Sequence, residues 1–160
     1  MKRIIIILAV LLAGSLQLSA QSTKLETFLR KYSNYEGVTF QQVVGGNRIV
    51  DFLMKEVDDG DEIDQEEMDL FSRYMKRLVY MTIEEDAFSE TVSDRFLSGL
   101  LEVLDAESFQ DASEDEDLIV YMRFDDSMNY IKEIIMLGDD DAGALNIIDL
   151  IGSIPVDELL

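Results

Sequence analysis

The sequence predicts an α+β domain: about five strands, mainly antiparallel, ending in a C-terminal β-meander, with amphipathic helices packed mainly on one face. Three observations predict it. Residues 118–124, 128–137 and 144–151 are consecutive apolar runs of strand length, separated by turn residues. Two more runs of the same kind, residues 38–44 and 78–84, lie upstream. Between them stand segments whose apolar residues recur at helical spacing, above all residues 91–104.

The chain begins with a segment that does not belong to the fold. Lys2 and Arg3 precede an apolar run from Ile4 to Leu16, and Leu18-Ser19-Ala20 supplies a small-residue cleavage pattern. That is the layout of a secretory signal peptide, residues 1–20, with Gln21 first in the mature chain. The apolar run is shorter than the roughly 20 residues a bilayer needs. No cysteine stands at the site for lipid attachment. Cleavage leaves 140 residues, 21–160, a length that suits a single domain. No second apolar stretch is long enough to span a membrane.

In order along the mature chain, residues 23–32 read as a short helix: Leu25, Phe28, Leu29 and Tyr32 share a face, and Ser22 or Thr23 can cap it. Gly37 ends it and can adopt positive φ. Residues 38–44 alternate as a strand. Gly45-Gly46-Asn47 then turns the chain into a helix over residues 48–57, whose apolar face is Ile49, Val50, Leu53, Met54 and Val57. The glycine pair lacks the Lys-Ser/Thr of a P-loop and the third glycine of a dinucleotide fingerprint. Residues 68–76 form at most a short helical turn before the strand at 78–84. In the helix over 91–104, Val92, Phe96, Leu97, Leu100, Leu101 and Leu104 make a broad core stripe, and Gly99 permits close approach to the sheet.

The meander is read from its period of two. Leu118, Val120, Met122 and Phe124 point one way, with Ile119, Tyr121 and Arg123 opposite. In the next strand Ile131, Ile135 and Leu137 share a face, with Tyr130, Lys132, Ile134 and Met136 on the other. Asp125-Asp126-Ser127 between them is turn chemistry. Neither face of the meander is wholly polar. Residues 156–160 add a last helical turn. The predicted core is Phe28, Phe40, Leu53, Val79, Phe96, Leu100, Val120, Met122, Ile135 and Ile147.

Composition excludes several functions. With no Cys and no His, the chain has no thiol catalysis, no iron–sulfur or structural zinc site, and lacks the commonest general base and metal ligand. The formal charge is −21, and loss of Lys2 and Arg3 takes it to −23. Such a surface repels nucleic acids and anionic lipid heads. No cofactor motif is present, and no catalytic residue is assigned. Glu84, Glu85 and Asp86 at a strand end, and Asp125 and Asp126 in a turn, are the carboxylate groups a hydrolase would need, without a spacing that singles them out. The acidic loops offer weak divalent-cation candidates in Asp58, Asp59, Asp61, Asp64, Asp139, Asp140 and Asp141. The first of these loops fails the EF-hand pattern, because counting back from Gly60 puts Lys55 in the first ligand position.

Residues 24–39, KLETFLRKYSNYEGVT, place a helix before Tyr-Ser-x-x-Glu-Gly-Val-Thr; residues 144–159, ALNIIDLIGSIPVDEL, place a hydrophobic strand before Gly-x-Ile-x-x-x-x-Leu. With an export signal ending in Ala-Gln, the chain resembles the secreted domain-of-unknown-function family 4252 of Gram-negative bacteria over most of residues 21–160. The resemblance implies an exported α+β domain and carries no residue roles. The expectation is therefore a periplasmic or secreted, non-enzymatic protein that needs no cofactor and acts as an interaction or regulatory module, with another envelope protein as partner. A cation-binding module and a carboxylate-dependent hydrolase are the alternatives.

Overall fold

The computed structural model describes residues 22–56, 65–114 and 117–158. Its elements follow in the order α1 (Lys24–Arg30), β1 (Val38–Val44), α2 (Gly46–Glu56), α3 (Gln65–Tyr74), β2 (Met75–Ile83), α4 (Glu90–Ala106), β3 (Gln110–Asp111), β4 (Leu118–Phe124), β5 (Tyr130–Asp139), β6 (Leu145–Pro155) and a 3-10 turn, Val156–Glu158. The predicted α+β class holds. The strands form one sheet in the order β1-β2-β6-β5-β4-β3, and every pairing is antiparallel.

The sheet has six strands rather than five. The extra one, β3, is two residues long and pairs Gln110 with Met122 and Asp111 with Tyr121. Nothing in its polar dipeptide carries a strand pattern. The last strand of the meander does not extend the sheet outward. β6 inserts between β2 and β5, so the C-terminal strand is the sheet's middle. Burial on both sides explains its near-continuous apolar run, which an edge strand does not need.

The helices cover both faces, which corrects the expectation of one. α1 and α4 lie over Val79, Met81, Ile83, Ile135, Leu137 and Ile147. α2 and α3 lie over Leu78, Ile131, Ile134, Leu150 and Ile154. The cause is in the strands: Ile134 beside Ile135, and Ile147 beside Ile148, leave no polar face to meet water. α3 is a helix of ten residues, longer than the expected turn. It crosses α2 closely enough that a Cβ on Gly46 would overlap the Ser72 carbonyl.

α1 starts where Thr23 Oγ1 accepts a hydrogen bond from the Glu26 amide at 3.1 Å. It packs on α4 through Phe28, whose ring sits where a Cβ on Gly99 would be. Gly99 thus admits a neighbouring helix and not the sheet. Tyr32, Phe88 and Phe96 complete an aromatic cluster with Phe28. Of the predicted core, Phe28, Leu53, Val79, Phe96, Leu100, Ile135 and Ile147 are buried, while Phe40, Val120 and Met122 are partly buried. Leu97 and Leu101, expected in the α4 stripe, are exposed. No helix among the described residues is long and apolar enough to cross a membrane.

Candidate functional site

At one end of the sheet β1, β4 and β6 finish and β2 and β5 begin, and the ladder is irregular on three neighbouring strands. The β2–β6 register slips between Met75 and Arg77. The β5–β6 register slips between Ile131 and Glu133, opposite Gly152 and Ser153. A bulge carries one unpaired residue, bends its strand and re-aims the side chains beside it. The residues of β2 and β5 that these registers with β6 skip are Lys76 and Lys132. The slip at Lys132 also moves Ile131 to the face of Ile134 and Met136, which corrects the strict alternation expected for β5. Gly152 is required at this crossing, because a Cβ there would overlap the Tyr74 carbonyl.

The irregular end forms a groove of about 350 Å³ with Lys76, Arg77, Arg123 and Lys132 in its lining, together with Val44 and Ile151. Four of the chain's 13 basic residues meet there, and no acidic side chain lines the groove. Lys132 Nζ donates to Ser153 Oγ at 3.1 Å. Among the described residues neither Lys76 nor Lys132 forms an ion pair.

Beneath the groove three acids converge on the α1/α4 face of the sheet. Glu26 comes from α1, Glu133 from β5 and Asp149 from β6, and none is more than 1% exposed. Glu26 Oε2 lies 3.0 Å from Arg77 Nη2, and its Oε1 accepts from Arg30 Nη2 at 2.8 Å and Gln42 Nε2 at 3.3 Å. Glu133 Oε2 accepts from Arg123 Nε at 3.0 Å and Nη2 at 2.6 Å. Asp149 contacts no such donor. Burial pushes its carboxyl well above the usual carboxylate range; the charge of Glu133 and a hydrogen bond with it push the same way, as does Glu26, and Arg77 opposes them.

Not every carboxylate of this acidic chain is therefore at the surface, and none of these three lines the groove. Glu26 and Glu133 hold Arg77 and Arg123 from below. The sequence carried a signal for the acids. Glu133 is in phase with Ile135 and Leu137, and Asp149 with Leu145 and Ile147, so each lies on a buried face of its strand.

The residues singled out from the sequence lie elsewhere. Asp58, Asp59, Asp61 and Asp64 fall outside the described residues. Asp139, Asp140 and Asp141 are exposed at the β5–β6 turn. Asp140 Oδ1 accepts from the amides of Ala144 and Ala142, which lowers its pKa, the Ala144 bond contributing most. Among the described residues no group of three acids, the buried Glu26, Glu133 and Asp149 included, is placed to hold a metal ion. Glu84, Glu85 and Asp86 are exposed at the same end as that turn, far along the strands from Asp125 and Asp126. Asp125 organises the β4–β5 hairpin, accepting from the Ser127 hydroxyl and the Asn129 and Tyr130 amides. Its pKa is lowered, first by the Ser127 bond. None of the family models, curated proteins or solved structures compared with this chain matches it.

Proposed function

We propose that this protein is an exported, non-enzymatic binding module that takes a segment of another envelope protein as an added strand along β1. The observation that carries this reading is the outer edge of β1. Glu84 donates to the Gly37 carbonyl and Gly45 to the Lys76 carbonyl, which fixes the odd-numbered positions of β1 as those bonded to β2. The amides and carbonyls of Phe40, Gln42 and Val44 therefore face outward, a template for an incoming strand. The sealed position of Glu26, Glu133 and Asp149 supports a binding role over a carboxylate-dependent one. Export rests on the leader at residues 1–20, and membership of the secreted family 4252 rests on the two motifs quoted above.

Crosslinking in the intact envelope tests the reading with two variants. Gln42→Pro removes an outward amide and leaves the β1–β2 ladder intact; Gln42→Ala removes only the side chain. A partner recovered with wild type and Gln42→Ala, and lost with Gln42→Pro, is the expected result. Equal recovery with all three, or nothing above background, overturns strand addition. Sequencing the N-terminus of the recovered protein at Gln21 checks export.

A further inference from the structure

We propose that the groove between Lys76 and Lys132 binds a phosphoryl group, as a dianion. The inference does not depend on strand addition, since the cations of the groove are separate from the outward backbone of β1.

The charges in the groove are unequally answered. Arg77 is met by Glu26 at 3.0 Å, and Arg123 by Glu133 through two hydrogen bonds. Lys76 and Lys132 meet no carboxylate among the described residues, although the chain holds 34 acids. Isolated surface lysines in so acidic a protein are ordinary. Two of them on neighbouring bulges, turned into one concave site with no acid in its lining, are not explained by solubility or packing. Bulges recur where a side chain must be re-aimed for function.

The chemistry of the missing partner follows from the count. Two unanswered positive charges call for a group with two negative ones. A single carboxylate supplies one charge in one plane. A phosphoryl dianion supplies two, over three terminal oxygens that donors from several strands can reach. Arg123 strengthens the match. Glu133 holds it through Nε and Nη2, and a guanidinium has five N–H donors, so Nη1 is left to meet a second acceptor. Val44 and Ile151 at the wall give an apolar surface for whatever carries the phosphate.

The test uses the purified protein as exported by its host. Calorimetry with inorganic phosphate and with pyrophosphate, at constant ionic strength, is expected to show saturable binding at one site per chain, with acetate failing to bind. Lys76→Gln combined with Lys132→Gln is expected to weaken phosphate binding by roughly tenfold or more. Both side chains lie at the groove's surface, so thermal unfolding of the double variant should match wild type. No saturable binding, equal binding of acetate, or an undiminished affinity in a folded double variant overturns the proposal. Co-sedimentation with phosphatidic acid vesicles assigns the source: retention that the double variant loses indicates a lipid phosphate, and phosphate binding without retention indicates a soluble ester. Phosphate binding is measured with no partner protein present, so failure here and failure of the strand-addition reading are separate outcomes.

Discussion

Ionising a carboxyl group with no exposed surface costs several kcal/mol, and that cost, with the charge of Glu133 beside it, raises the pKa of Asp149 well above the usual carboxylate range. Its folded pKa lies above its unfolded value of about 3.9, so the folded chain holds the extra proton between the two. Stability from this group is complete below the unfolded pKa and is lost as pH rises through the folded one. Asp149→Asn keeps the shape and never ionises. Urea unfolding should find it at least as stable as wild type at neutral pH, with the advantage closing as pH falls below about 4. A variant that falls below wild type only as pH rises would mean that Arg77 needs a charged Asp149. The position was legible from the period of β6. Its raised pKa was not, because that depends on Glu133 and Glu26 arriving from β5 and α1, and no single segment encodes that meeting.

At the scale of elements, the boundaries that sequence reads best are those with two clear stops. β1 and β4 match the predicted limits at both ends, since Gly37 and Gly45 bracket one and the Asp125-Asp126-Ser127 turn closes the other. α3 was under-read because its face is sparse: Leu70, Phe71 and Tyr74 carry its contact with the sheet. The bulges at Lys76 and Lys132 were invisible, because an inserted residue interrupts the alternation without leaving a composition of its own. That is why Ile131 was assigned to the wrong face. At the bulged crossing a Cβ on Gly152 would run into the Tyr74 carbonyl and the Met75 Cα. Gly152→Ala should lose about 1–3 kcal/mol in chemical denaturation, the usual range for overpacking. Hydrogen exchange should locate the damage at Met75–Arg77 first. A loss below that range would show that the backbone yields there.

Across the whole molecule the cationic groove lies at the opposite end of the strands from the exposed acids Glu84, Glu85, Asp86 and Asp139–Asp141, while Asp125 and Asp126 turn the β4–β5 hairpin at the groove's own end. Composition gave the net charge but not this placement, which follows from the sheet order. A formal charge of −21 also opposes compaction by self-repulsion. Added sodium chloride should therefore raise the melting temperature, most steeply up to about 0.1 M, where the screening length has fallen to roughly 10 Å. A melting temperature that falls over that range would mean the buried ion pairs outweigh the repulsion. The two-sided helical cover was half legible: the apolar residues on both strand faces announced it, while the connection that carries α2 and α3 across between β1 and β2 did not.

The far edge of the sheet is closed differently from β1. The short β3 strand, the Ala112 amide on the Val120 carbonyl and the Ser113 hydroxyl on the Val120 amide occupy the outward positions of β4 there. A sheet open on a single side offers each chain one place to add a strand, so this chain cannot by its own edges join neighbours on both sides into a fibre.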